Sequence, residues 1–331
     1  MTRTTKVALG VLCLMLIVFP LLVNPYIVQI AIMTITYSLL GLAFAFSMRA
    51  GLPRIDIAAW CSIGSFATAL LMNAGMSFWL AALSGGLISM ILGWLLFSVV
   101  IPRGILIFFI YCMMWMLLAP NVIRFLFMLP FLRGAGGLIT PPTIGSYIIF
   151  VKRDLFYVGL FFLGLNLVVY HLLYNSKIGR AWDAINSSLK LARSVGVNVV
   201  RYRMSNILIG NFFISLAGSY LVAFNRVPIP LTFDIKAGVL VMAYPFIGGL
   251  THSLTGPILG AAIATFIPEY FRVTEEYQLI LTTIIMMLII MFLPKGILGW
   301  LDQRVKPWLQ RSPWYIRLSK WGTKEARGLL R

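Results

Sequence analysis

Few residues in this chain have the types and spacing for chemistry, and they stand far apart. Arg54 and Asp56 lie two positions apart at the edge of an apolar run. At the centre of a membrane span an aspartate costs about 2.5–3.5 kcal/mol on insertion scales, so Asp56 needs a partner or water. On a helix, positions i and i+2 do not face each other, but in an extended or broken segment the two can pair. This leaves two readings, a solvated ion pair at a membrane edge and a polar contact on a path through the bundle. His171 and His252 have no carboxylate near them in sequence. No H-E-x-x-H, G-x-S-x-G or G-x-x-x-x-G-K-[ST] pattern occurs, so no zinc protease site, hydrolase elbow or phosphate-cradling loop is expected. Cys13, Cys61 and Cys112 sit inside apolar runs without a C-x-x-C pair. They read as small buried residues rather than a disulfide framework or metal site.

The elements that would position these residues follow from composition. Apolar residues make up 60% of the 331 positions and charged residues 11%, against about 45–50% and 25% in soluble domains. Mean hydropathy is +0.94. Such a chain has too little polar surface for a water-soluble fold. Residues 57–102 contain no Lys, Arg, Asp or Glu; since one span needs about 20 residues, the stretch is long enough for two. Continuous apolar runs, rather than alternating ones, argue against a β-barrel.

The expected fold is an all-α polytopic membrane protein of about ten transmembrane segments (eight to ten). Spans fall near 7–23, 27–47, 57–73, 78–101, 104–120, 154–173, 204–224, 237–251, 256–268 and 278–293. Those at 57–73, 237–251 and 256–268 are short or rich in Gly and Pro, and read as possible broken or re-entrant helices. An even count puts both termini on one side. With the termini cytoplasmic, that side holds 20 of the 27 Lys and Arg residues and the other side 7. This matches the positive-inside bias and accounts for the net charge of +18 without nucleic acid. Residues 1–300 read as the membrane domain. Residues 301–331 read as a basic, aromatic cytoplasmic tail suited to anionic lipid. Residues 121–153 read as a long outer connection, and 269–276 as an acidic outer loop.

Two small-residue patterns recur at helical spacing. Gly256, Gly260 and Ala264 repeat every four residues, which permits close backbone approach. The sharper reading is exposed backbone at a broken helix, able to hold a substrate carboxylate. Asn211, Ser215 and Ser219 also share one face; they hydrogen-bond between helices or line a path. In the connection 174–203, Ile185, Leu189, Ala192 and Val195 recur at steps of four, three and three. That spacing predicts one amphipathic helix over 181–195, with Gly196 as C-cap. Spacing leaves open whether the helix lies on lipid headgroups or is gripped by a cytosolic motor.

This connection resembles the inner-membrane permease subunits of branched-chain amino acid type ABC importers. The resemblance rests on Gly179-Arg180-Ala181, Ala184-Ile185, Ala192, Gly196-Val197-Asn198 and Arg201-Tyr202, continuing into Ala217-Gly218. Ala50-Gly51, Ala58-Ala59, Ile63-Gly64, Gly248-Gly249-Leu250, the run from Gly256 to Ala261, and the run from Leu293 to Gly299 agree in the same order. Together they cover about 30–300. Asn186-Ser187-Ser188 stand where the family usually carries acidic residues. Arg54-Ile55-Asp56-Ile57 replaces a Ser-Leu-Gly-His run, and Thr251-His252 interrupts the Gly-Gly-Leu stretch.

The resemblance implies a permease without catalytic residues, metal or cofactor of its own. ATP would be bound by cytosolic ATP-binding subunits docked on 177–203. A second permease subunit and a periplasmic substrate-binding protein complete the assembly. The solute would be a branched-chain or other hydrophobic amino acid, or a similar small carboxylate or amide. Arg54, Asp56, Asn211, Ser215, Gly256 and Gly260 are the path candidates. On that reading, Asp56→Asn is expected to lower transport without lowering protein level. The alternative is an ATP-independent secondary transporter, for which few midplane ionisable groups are present. An intramembrane enzyme lacks any His, Asp or Glu cluster.

Overall fold

The computed structural model describes residues 18–128, 143–144, 147–148, 152–226, 235–250, 254–270, 284–285, 287–289, 291–293 and 295–311. The expected span 7–23 therefore lies largely, and 278–293 by half, outside the described residues, as do Cys13, His252 and most of the tail and acidic loop.

Helix α1 (Pro25–Met48) begins with proline in its first turn, where the missing N–H costs nothing. It is followed by α2 (Ile57–Asn73), α3 (Phe78–Val100), a 3₁₀ turn (Ile101–Arg103) and α4 (Ile105–Met128). A two-stranded antiparallel ribbon pairs β1 (Thr143–Ile144) with β2 (Tyr147–Ile148). Then come α5 (Lys152–Asn175), α6 (Lys177–Ser187), α7 (Leu189–Ser194), α8 (Val199–Asn225), α9 (Ile235–Gly248), α10 (Thr255–Tyr270) and α11 (Gly296–Arg311).

Among the described residues, five helical segments are long and apolar enough to cross a bilayer, and two shorter apolar helices accompany them. The 57–73 segment is one unbroken helix of 17 residues. The expected loop over 121–153 is helical as far as Met128. Pro120 does not end α4; prolines are tolerated in membrane helices because neighbouring groups and local adjustments take up the freed carbonyls. Helix α11 runs across residue 300.

Helices α1, α2 and α8 form the centre. Helix α8 packs on α2, α3 and α1, and α9 and α10 also pack on α1. Small residues allow this closeness. A methyl at Gly64 would collide with Ser215, and one at Gly218 with the Cys61 carbonyl and Ser65. Polar side chains then bond across the gap. Ser65 donates to the Gly218 carbonyl at 2.9 Å, and Thr68 and Ser219 share a hydrogen bond of 2.7 Å. Such bonds and small-residue contacts hold helices together where lipid removes the hydrophobic drive between them. Helices α3, α4 and α5 turn Leu87, Ile91, Leu106, Met114 and Leu172 outward, an apolar surface that hydrocarbon covers.

The end of α1, the α3–α4 turn and the α5–α8 connection gather at one end of the bundle. Arg49 bonds Asp183 there, and a cavity is lined by residues from all three segments.

Candidate functional site

The segment 52–56 is not helical, so Arg54 and Asp56 escape the geometry that would part them. The Arg54 guanidinium donates from Nε to Oδ1 of Asp56 at 3.0 Å and from Nη2 to Oδ2 at 2.9 Å. Trp60, one turn into α2, donates its indole N–H to Oδ2 at 2.6 Å. Both charged side chains are fully buried, which overturns the reading of a solvated pair at the membrane edge. The guanidinium lies 5.4 Å from the Phe97 ring centroid. Its Nη1 has no hydrogen-bond partner. A buried ion pair of this kind is tolerable only because fork-on-carboxylate geometry and the indole satisfy most of its polar atoms.

Trp60 links this pair to the polar face of α8. A methyl at Gly93 would overlap the Asn211 amide and touch the Trp60 ring. Asn211, Ser215 and Ser219 are all fully buried against α2 and α3. Ser219 bonds between helices, whereas the Asn211 amide and the Ser215 hydroxyl have no hydrogen-bond partner. Arg54, Asp56 and Asn211 thus come together around Trp60, with Ser215 one turn along.

Gly256 and Gly260 sit elsewhere, in the contact of α9 with α10. A methyl at Gly256 would strike the Gly249 carbonyl, and one at Gly260 the Tyr244 carbonyl. Gly296, at φ 71°, fits against Gly249 in the same crossing. The two glycine motifs and the run from Leu293 to Gly299 therefore meet in space.

The connection 174–203 differs from the single helix expected over 181–195. It is two helices, α6 and α7, joined at Ser188, whose backbone is extended at φ −159° and ψ 113°. Apolar periodicity runs straight through this break. Ser188 stops the first helix and caps the second by accepting from the Leu191 N–H, an alternative that serine offers the backbone. Val195 is exposed, whereas Ile185, Ala192 and Val199 form a small buried cluster.

Gly179 lies too close to the Leu173 and Tyr174 carbonyls to carry a methyl. Ala181 and Ala184 are half-buried. Arg180 reaches the Asn175 carbonyl at 3.3 Å from an exposed position. Gly196 takes φ 82° at the turn, and Asn198 caps α8 by accepting from the Arg201 N–H at 3.0 Å. Arg201 itself is exposed.

Three residues not singled out from the sequence fasten this connection to the bundle. Trp182 is fully buried, edge-on to Phe46 of α1, and donates to the Tyr202 carbonyl at 2.8 Å. Asp183 accepts two hydrogen bonds from Arg49, at 2.5 and 2.6 Å. Arg49 also stacks 4.2 Å from the Tyr174 centroid. The hydrogen bonds it donates to Asp183 hold the Arg49 guanidinium above its ordinary pKa, against a smaller lowering by burial. One signal was available, since Asp183 is the only carboxylate in 174–203. Among the described residues no group of His, Cys, Asp and Glu could hold a metal ion.

Comparison with known proteins gives this architecture a context. The family described as "Branched-chain amino acid transport system / permease component" matches residues 26–290. The high-affinity branched-chain amino acid transport system permease protein LivM of Salmonella typhimurium is 29% identical over 327 residues, covering 90% of this chain and 76% of its own. LivM of Escherichia coli is 28% identical over the same shares. The probable branched-chain amino acid transport permease protein LivH of Methanocaldococcus jannaschii is 26% identical over 164 residues, 46% of this chain and 51% of its own. No solved structure matches. The match over 26–290 takes in every helix from α1 to α10, the buried Arg54–Asp56 pair and the whole connection between α5 and α8, and the chain belongs to the branched-chain amino acid transport permease family.

Proposed function

We propose that this chain is the membrane-spanning permease subunit of an ABC importer for branched-chain amino acids. The observation that carries the reading is the family match across 26–290, supported by the polytopic apolar bundle. In this reading the chain lies in the inner membrane with both termini and the α5–α8 connection cytoplasmic. Cytosolic ATP-binding subunits dock on 177–203, and a second permease subunit and a periplasmic substrate-binding protein complete the assembly. Residues Gly179, Arg180, Ala181, Ala184, Ile185, Ala192, Gly196, Asn198 and Arg201 shape the docking element.

The chain makes and breaks no covalent bond. Nucleotide-driven closure of the ATP-binding subunits moves α6, and the bundle alternates between access from either side. A ligand shifts such an equilibrium only by its differential affinity for the two states, so the bistable element is the assembly and the ATP cycle biases it. Arg54, Asp56, Asn211, Ser215, Gly256 and Gly260 are the path candidates, the first four around Trp60 and the glycines in the α9–α10 crossing.

The test is purification from native membranes in mild detergent, beside a variant with 179–193 scrambled, together with uptake of labelled leucine. The expected result is an ATP-binding subunit that accompanies the native chain and is lost from the variant, with uptake lost in parallel. Uptake that continues on a proton gradient after ATP depletion, with no ATP-binding subunit on either chain, would overturn the reading in favour of a secondary transporter.

A further inference from the structure

A cavity of about 350 Å³ opens where the α3–α4 turn meets the α6–α7–α8 connection. Its lining includes Gly51, Ile105, Asn186, Ser188, Arg193 and Arg203, and no acidic residue. Arg203 is 7% exposed, and its Nε donates to the Ala50 carbonyl over a long 3.4 Å. Among the described residues neither Arg193 nor Arg203 has a carboxylate partner. The one acid of the connection, Asp183, is engaged by Arg49. Buried charges are ordinarily paired, so a guanidinium in this setting needs an anion.

A second hollow adjoins the first. It is a more open groove of about 610 Å³ lined by Trp94, Met204 and Leu208, with Ser98, Asn198, Arg201 and Ser205 also on it. Val200 lines both hollows. Trp94 is 57% exposed on the outer face of the bundle. A chamber with two arginines and Asn186 set among apolar side chains thus runs into a more apolar groove along the side of a membrane helix. Neither a free anion nor an acidic protein side chain uses both halves, whereas a molecule with a phosphate at one end and an acyl chain at the other fills them together. Basic pockets between membrane helices on the cytoplasmic side bind lipid headgroups for this reason.

We propose that an anionic phospholipid binds here, its phosphate facing Arg193 and Arg203 and an acyl chain lying in the groove of Trp94, Met204 and Leu208. The site holds the connection against the α3–α4 turn. Only its assignment to the cytoplasmic leaflet rests on the permease reading. Binding is read in the isolated chain, so its failure and the failure of that reading are separate results.

The purified full chain is titrated in mild detergent with phosphatidylglycerol, phosphatidylcholine or inorganic phosphate, and bound lipid is counted by native mass spectrometry beside the melting temperature. Phosphatidylglycerol is expected to bind in preference to phosphatidylcholine and to raise the melting temperature. Arg193 is exposed, so Arg193→Gln can be made without removing buried charge; it should weaken phosphatidylglycerol binding about fivefold. Leu208→Ser should weaken it as well. Arg153→Gln, the same charge change at the start of α5, should leave it unaltered. Equal binding of the two lipids, or no effect of Arg193→Gln, overturns the proposal. Inorganic phosphate that stabilises as well as the lipid, with Leu208→Ser silent, shows a free-anion site instead. Loss of an ATP-binding subunit from Arg193→Gln with lipid binding intact reassigns the cavity to protein docking.

Discussion

Asp56 accepts three hydrogen bonds where there is no solvent, two from Arg54 and one from Trp60. Removing its charge would leave the Arg54 guanidinium buried and unpaired, a loss of about 3–5 kcal/mol. Asp56→Asn is therefore expected to lower both melting temperature and protein yield, not transport alone. The effect on yield follows from burial, which the two-residue spacing does not reveal. Replacing both members by apolar groups of similar size is often neutral or stabilising. The Arg54→Met/Asp56→Leu double variant should accordingly recover most of the lost melting temperature in detergent. Uptake by that variant then separates the two roles: loss of uptake in a stable protein places the pair on the path, and normal uptake leaves it a structural pin. A single variant that melts like the native chain would show that the pair is not buried as described.

Among the helices, the α9–α10 crossing depends on glycine in a way that can be measured. A Cβ at Gly260 would overlap the Tyr244 carbonyl of the facing helix, and backbone cannot swing aside as a side chain can. Gly260→Ala should force the two helices apart and cost about 1–3 kcal/mol, the range for overpacking. Gly164 of α5 has open space where its Cβ would lie, so Gly164→Ala should be neutral or stabilising by up to about 1 kcal/mol. Thermal melts of the two variants side by side check the contrast; equal melting temperatures would rule out the tight crossing. The four-residue repeat Gly256, Gly260, Ala264 already offered this packing as one of its two readings, because small residues at that spacing let helix backbones approach closely. Most helices were legible for a similar reason, since an apolar run of span length has few other homes. The break at Ser188 was not, because apolar periodicity continues across it while the decision is made by a serine hydroxyl capping the next helix. Helix α4 also continues past Pro120 to Met128, where a proline in water usually ends one.

Across the whole molecule, the α5–α8 connection meets the bundle through a small set of contacts, and the chain distance between partners explains why the sequence conceals them. Arg49 and Asp183 are 134 positions apart, and no local pattern joins them. Their pairing sets α6 directly against the end of α1, whose next residues lead through 52–56 into α2. If ATP-binding subunits dock on α6 as proposed, a push on it would reach α1 through this bidentate ion pair, with Trp182 against Phe46 beside it. The pair is partly exposed, 23% at Arg49 and 48% at Asp183, so it contributes only about 0.2–1 kcal/mol to stability and its loss should leave protein level intact. On the proposed importer reading its weight would lie in coupling, where 1–3 kcal/mol changes a linked equilibrium about 5–150-fold. Reversing either charge alone, as Arg49→Asp or Asp183→Arg, should keep ATP hydrolysis by the reconstituted assembly while uptake falls about five- to tenfold. Making both changes restores the attraction but not the Arg49 stacking on Tyr174, so uptake should return in part. Uptake and hydrolysis measured together in vesicles decide the matter. If the double reversal transports no better than the single ones, the link between α6 and α1 runs through Trp182 and Phe46 instead of the charges.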